Sequence, residues 1–158
     1  MSIIESNRKI YNSYSEDWIK NADSFDENSG GFYVIHREHN FDKKNGRYEI
    51  ESAKALITEG YRIELQSERS RIQGVKIPDG LLNGKLCELK AVIKNSAKSI
   101  QRQIEDSARK KALFVVLHFT EEYHNEIFLN ALNKWKGIAE KSMLSIEIIK
   151  TNKEGIIK

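Results

Sequence analysis

Three charged side chains in the segment 77–93, IPDGLLNGKLCELKAVI, are spaced so that a β-hairpin would bring them to one face. The Asn-Gly pair at 83–84 lies between two apolar runs and favours a two-residue type I′ turn, which needs positive φ at both positions. With that turn, Asp79 lies opposite Glu88 on the neighbouring strand. Lys90 shares the face of Glu88, because side chains alternate along a strand.

Two carboxylates placed opposite each other repel, so a divalent cation between them would relieve the arrangement. Asp79 and Glu88 are therefore the predicted metal ligands, with Mg²⁺ as the first candidate and Mn²⁺ or Zn²⁺ as alternatives. Such an ion neutralises charge on a phosphodiester and lowers the pKa of a bound water. Lys90 would orient that water or stabilise charge developing on phosphorus. The pattern predicts a site for phosphodiester hydrolysis.

A fourth acidic group is predicted on the helix that precedes this hairpin. Glu49 falls one turn before Ala53, beside the apolar stripe of the segment GRYEIESAKALITEG, and can reach inward at the helix start. Glu51 falls farther from that stripe. The spacing favours Glu49 over Glu51 as a catalytic residue.

The pattern of apolar residues predicts an α/β domain in which a hairpin lies beside parallel crossovers. A helix is expected over 3–20, and the polar DENSGG at 26–31 resembles a linker. From residue 46 the predicted order is helix, strand, hairpin, helix, strand, helix and strand. The expected segments are a helix ending at Gly60, a strand at 61–65, a polar loop at 67–74, a helix from Asn95 or Ser96, a strand at 112–119, a helix from Thr120 to about Gly137 or Lys141, and a strand at 143–150. Pro78 is expected inside the first hairpin strand, as an edge or bulge residue.

Length and composition limit the classes of protein to which this chain could belong. A chain of 158 residues, 39% hydrophobic and 31% charged, suits one globular domain. It has no apolar run of membrane-spanning length, and its first residues show no signal-peptide pattern. Its single cysteine, Cys87, excludes a disulfide framework and is expected in the core. The net charge of +3 is compatible with a polyanionic partner.

The motif and element order together resemble the PD-(D/E)XK nuclease superfamily. The matches are PD at 78–79, ELK at 88–90 and the helix glutamate Glu49, and they cover residues 46 to about 119. The resemblance implies a restriction-endonuclease-like mixed sheet flanked by helices, with an αβββαβ core and an N-terminal extension. It implies a single nuclease domain, 1–158, in which 1–30 form a helical extension and 46–150 the α/β catalytic core.

One branch of that superfamily is similar over PDGLLNGKLCELKAV and SAKSIQRQIEDSARKKALFVVL. It comprises the tRNA-cleaving C-terminal toxin domains of contact-dependent growth-inhibition proteins, with relatives in phage and mobile elements. The resemblance implies a tRNA substrate, a cognate immunity protein, and action in the bacterial cytoplasm after delivery from a neighbouring cell within a larger secreted toxin. The chain would be either such a domain or a free-standing relative. Two groups of side chains would serve the substrate: Gln101, Arg102 and Gln103 would line its side of the site, and Arg102, Arg109, Lys110 and Lys111 would contact phosphates.

Three alternatives remain open from the sequence. The catalytic core does not choose between RNA and DNA, so a DNA endonuclease of the restriction or Holliday-junction type is one. In the second, Glu88 and Lys90 form an exposed charge ladder on a nucleic-acid-binding module without catalysis. In the third, His36 and His39 act as an acid/base pair that cleaves RNA without metal.

Overall fold

The computed structural model describes residues 1–39, 41, 46–67 and 78–158, which form one mixed sheet of eight strands flanked by four helices. The strands lie in the sheet in the order in which they occur in the chain. The elements are α1 (Ile3–Ser13), β1 (Trp18–Ile19), β2 (Phe32–His36), α2 (Arg47–Ile57), β3 (Arg62–Leu65), β4 (Gly80–Leu82), β5 (Lys85–Val92), α3 (Ala97–Arg109), β6 (Phe114–Phe119), α4 (Asn125–Ser142), β7 (Glu147–Asn152) and β8 (Gly155–Ile157).

Parallel pairs join β2 to β3, β5 to β6 and β6 to β7, and each of these connections passes through a helix. The remaining pairs, β1–β2, β3–β4, β4–β5 and β7–β8, are antiparallel. The α/β class is confirmed, as is the order of helix, three strands, helix and strand from α2 to β6. Parallel strands require such crossovers, because a tight turn cannot return the chain to the same end of the sheet.

Each face of the sheet has its own apolar layer, because successive side chains point to opposite faces. On one face, Leu56 of α2 packs with Leu65, Cys87 and Val116. On the other, α3 and α4 pack over the sheet through clusters that include Ile100, Ile104, Val115, Leu117, Ala131 and Trp135. The buried position of Cys87 agrees with its predicted packing role.

The hairpin has the predicted turn. Asn83 and Gly84 have φ values of 49° and 81°, and the register pairs Leu82 with Lys85 and Gly80 with Cys87. Pro78 does not lie within the strand, which begins at Gly80. In this register Pro78 would pair with Leu89, and a proline has no N–H to donate there, so the ladder ends before it.

The N-terminal region differs from the prediction. Helix α1 ends at Ser13 rather than at residue 20, and Trp18–Ile19 pairs with β2 as the first strand of the sheet. The segment at 26–31 is a closed turn rather than a linker, since the Asp26 N–H donates to the Gly31 carbonyl at 2.8 Å. The Asn7 amide donates to the Gly30 carbonyl at 3.0 Å and ties α1 to this turn. The N-terminal residues are therefore integrated in the sheet.

The C-terminal elements agree with the prediction only in part. Helix α4 begins at Asn125 rather than after Thr120, whose hydroxyl donates instead to the Val92 carbonyl at 3.1 Å. Helix α4 ends at Ser142, one residue beyond the predicted end at Lys141, and Gly137, the alternative end, lies inside it. The edge strand β8 was not predicted. Beyond Ser67, the predicted polar loop at 67–74 lies outside the described residues.

Within the described part of the chain, no helix is both long and apolar enough to cross a membrane.

Gly80 is the glycine on which the hairpin depends. A Cβ at this position would lie 2.2 Å from the Glu64 carbonyl oxygen on β3, whereas a Cβ at exposed Gly137 meets nothing within 4 Å. We expect Gly80→Ala to lower the free energy of unfolding by about 1–3 kcal/mol, because backbone would have to move. Gly137→Ala should raise it by about 0.5–1 kcal/mol through helix propensity. Urea unfolding of both variants measures this, and an unchanged midpoint for Gly80→Ala would contradict the close approach of the strands.

Candidate active site

Glu88 lies in the middle of β5, and its side chain is only 4% exposed. Its Oε1 accepts a hydrogen bond from Lys110 Nζ at 2.9 Å, and Lys90 Nζ lies 3.8 Å from the same oxygen. Its Oε2 is buried and has no hydrogen-bond partner among the described residues. A buried carboxylate oxygen without a partner costs free energy, so it indicates a position where another group can bind.

Asp79 lies in a bend just before β4, and its carboxylate turns toward β5. Its Oδ2 accepts the Leu89 backbone N–H at 2.8 Å, in place of the ladder bond that ends at Pro78. The predicted strand pair between Asp79 and Glu88 is therefore wrong in detail, because Asp79 precedes the strand. The side chain still reaches the segment that carries Glu88.

The two carboxyl groups influence each other. Burial is the main cause that raises the pKa of Glu88, and the charge of Asp79 raises it further, against the opposing effect of Lys110. Burial also raises the pKa of Asp79, with a contribution from Glu49, while the Leu89 N–H and the lysines oppose the rise. Paired acids whose pKa values are raised in this way are typical of functional sites.

Glu49, in the first turn of α2, is the helix carboxylate near this pair. Its Oε1 lies 3.2 Å from His39 Nε2, and its charge acts on Asp79. Glu51 points elsewhere, with its Oε1 3.1 Å from Nε2 of buried His118 on β6. Glu49 therefore lies near Asp79, and its catalytic role stays a prediction.

His39 holds Glu49 in place. Its side chain is fully buried, its Nδ1 faces the Gln66 carbonyl at 2.7 Å, and its Nε2 faces Glu49. Burial lowers its pKa, but the hydrogen bonds to Glu49 and Gln66 outweigh burial, so the pKa is raised overall. His36 packs edge-on against Trp18 with ring centroids 5.1 Å apart. The two histidines therefore have separate partners, and the metal-free pair is not favoured by this geometry.

Lys110 is the site residue whose position the sequence did not reveal. It caps the C-terminus of α3, and its side chain is 21% exposed. From the sequence, Lys110 was expected to contact phosphates together with other basic residues. It lies 22 positions from Glu88 along the chain, and no local sequence pattern links residues at that separation. The feature that could have indicated its position is the crossover, because α3 returns the chain to β6, where Val115 pairs with Glu88.

The three residues expected on the substrate side have different environments. Gln103 lies against the catalytic strand and donates from Nε2 to the Ala91 carbonyl at 2.8 Å. Its Oε1 is buried and has no hydrogen-bond partner within the described ranges. Gln101 donates to Glu105 at 2.9 Å, and Arg102 is exposed to solvent. Of these three side chains, Gln103 is the one that donates a hydrogen bond to β5 within the described part of the chain.

The carboxylates of the site can be compared with the ligands that the predicted ion requires. In residues 1–39, 41, 46–67 and 78–158, no three His, Cys, Asp or Glu side chains converge closely enough to hold a metal. Mg²⁺ typically uses one or two protein carboxylates and completes its shell with waters and substrate phosphate. Asp79 and Glu88, with the unpaired Oε2, fit that use. Zn²⁺ typically takes three or four protein ligands, at least one more than this pair supplies.

No protein-family model matches this chain, and no curated protein or solved structure matches it either. The chemistry of the site therefore follows from its own residues.

The raised pKa of Glu88 gives a test of the site by stability. Because the fold favours the neutral acid, Glu88→Gln should leave the free energy of unfolding unchanged or raise it by about 1 kcal/mol. The sign follows from the pKa. Below the ordinary pKa of 4.5, Glu88 is neutral in the folded and in the unfolded protein, as Gln is at every pH. As the pH rises from 4.5 through the raised pKa, ionisation of Glu88 costs the folded protein stability, so the advantage of Gln grows. Urea unfolding across pH measures it. A loss above about 2 kcal/mol would mean that the pair with Lys110 serves the fold.

Proposed function

We propose that this protein is a metal-dependent nuclease of the PD-(D/E)XK type. The supporting observation is the partly paired, buried Glu88 carboxylate beside Asp79, with both pKa values raised and with two lysines on one oxygen. Such an arrangement costs folding free energy, which favours a functional reason for its presence. The resemblance of PD, ELK and Glu49 to the superfamily motif points to the same chemistry.

The charges of the site suit a phosphodiester once a cation is added. Glu49, Asp79 and Glu88 are balanced by Lys90, Lys110 and His39 when its ring is protonated, and both ring nitrogens face acceptors. A divalent ion would make this balanced site positive and so attract a phosphate group.

Each residue has a proposed role. Asp79 and Glu88 would hold a divalent ion, which supplies charge neutralisation and an acidified water when bound. Lys90, on the face of Glu88, would hold the attacking water or the phosphate oxygens. Glu49 would accept a proton or a hydrogen bond beside Asp79, held in orientation by His39.

We propose that the substrate is RNA, with tRNA as the favoured molecule. It rests on the resemblance to growth-inhibition toxin domains and on the exposed Arg102 and Lys111 of the α3 region, which can contact phosphates. On this proposal the protein acts in the bacterial cytoplasm and has a cognate immunity protein that blocks the site. DNA is the alternative substrate, since the ion and carboxylates would serve either.

Catalysis should depend on the two carboxylates and on metal. We expect Asp79→Asn and Glu88→Gln each to reduce cleavage of total RNA at least about 100-fold, because each removes charge that holds the ion. EDTA should abolish cleavage and added Mg²⁺ restore it. Gel analysis of total RNA and plasmid DNA with purified protein measures this, and Glu140→Gln, an exposed change of the same kind on α4, is the matched control.

Full activity in EDTA would contradict the metal mechanism. Absence of cleavage of both nucleic acids by folded protein, with retained binding, would instead favour a non-catalytic binding module.

Expression in bacteria tests the substrate. Production of the protein without an inhibitor should stop growth and shorten tRNA while chromosomal DNA stays intact, because RNA is the proposed target. Production of Glu88→Gln at the same level should allow growth. Northern blots and pulsed-field gels measure the two nucleic acids, and degraded DNA with intact tRNA would overturn the choice of RNA.

A further inference from the structure

The two carboxylate oxygens of Glu88 have different numbers of partners. Lys110 donates to Oε1 at 2.9 Å, Lys90 lies 3.8 Å from the same atom, and Oε2 has no partner among the described residues. Two ammonium groups therefore surround one oxygen of a carboxylate that is 4% exposed. A cation bound to this carboxylate must approach both of them.

Lys110 and Lys90 reach Glu88 from different places in the fold. Lys90 extends from the middle of β5, whereas Lys110 caps α3, where the chain leaves the helix with Lys111 at a φ of 65°. A lysine has a flexible four-carbon stem and a compact charge, so its ammonium can move several ångströms without backbone change. The side chains of Lys110 and Lys90 are about equally exposed, at 21% and 23%, and Lys110 is the one whose ammonium donates directly to Oε1.

We infer that Lys110 is a built-in competitor of the divalent cation at Glu88, and that its ammonium leaves this carboxylate when the cation binds. The inference rests on the proposed metal-dependent function for the presence of a cation. Without metal, Lys110 supplies the counter-charge that a buried carboxylate requires. With metal, the displaced ammonium would lie at the rim of the site, where a substrate phosphate would arrive.

Electrostatics predicts how the affinity for the cation should change when the charge of Lys110 is removed. Unit charges about 4 Å apart interact strongly at the effective dielectric of a protein surface, so a neighbouring ammonium opposes a divalent ion. Removing that charge should tighten cation binding about tenfold or more. A structural role alone would predict weaker binding, because Glu88 would lose the residue that holds it.

The test is calorimetric titration of the full chain with Mn²⁺, without nucleic acid and at mildly alkaline pH. Lys110→Met and Lys110→Gln should each bind Mn²⁺ about tenfold or more tightly than the unchanged protein, and Lys110→Arg should bind as the unchanged protein does. Lys111→Met removes the same charge at the exposed neighbouring position and should leave the affinity unchanged within about twofold. Glu88→Gln should abolish binding.

Thermal melts establish that each variant is folded. If Lys110→Met does not fold, Lys110→Gln still provides the test, because its amide retains a donor for Oε1.

The movement of Lys110 has its own measurement. Reductive methylation followed by mass spectrometry should modify Lys110 faster when Mn²⁺ is present, and Lys111 at the same rate with and without the ion. Unchanged or weaker affinity in the two neutral variants, or an unchanged rate at Lys110, would overturn the inference. Absence of Mn²⁺ binding in every variant would also overturn it. Tighter binding in variants of a protein that cleaves no nucleic acid would leave this inference standing and remove the proposed function.

Discussion

The burial of the Glu88 carboxylate is the constraint around which the site is organised. A charged group in the middle of a strand, beneath the α3–α4 layer, requires counter-charge within hydrogen-bonding distance. Lys110 supplies it from the end of α3, and Lys90 adds a second ammonium from the same strand. The length of α3 and the register of β5 with β6 therefore matter to the site as well as to the core, because they decide where Lys110 arrives.

Hairpin geometry supplies the second carboxylate. The turn at Asn83-Gly84 sets the register, and the close approach of Gly80 to the Glu64 carbonyl holds β4 tightly between its neighbours. Pro78 then ends the ladder, and the Asp79 carboxylate takes the Leu89 N–H instead of extending it. The interruption of the strand therefore leaves the Leu89 N–H to the Asp79 carboxylate, next to Glu88 along β5.

The site receives residues from both sides of the sheet. Helix α2 packs on one face and brings Glu49 from its first turn, with buried His39 holding that carboxylate, while α3 lies on the other face and brings Lys110. With His39 protonated, the three carboxylates Glu49, Asp79 and Glu88 are matched by three cationic groups. Balance explains how several ionisable groups can be gathered without an ion, and it leaves one carboxylate oxygen, Glu88 Oε2, for a further ligand.

The sequence by itself determined the local parts of this arrangement. An Asn-Gly turn defines register over a few residues, so the shared face of Glu88 and Lys90 followed from alternation, and helical spacing favoured Glu49 over Glu51. The contacts of Lys110 with Glu88 and of His39 with Glu49 join residues 22 and 10 positions apart, and no periodicity encodes them. The short edge strands β1 and β8 depend in the same way on a neighbouring strand for their hydrogen bonds. Only the tertiary structure decided these features, because packing brings together groups whose separation along the chain carries no information about their distance.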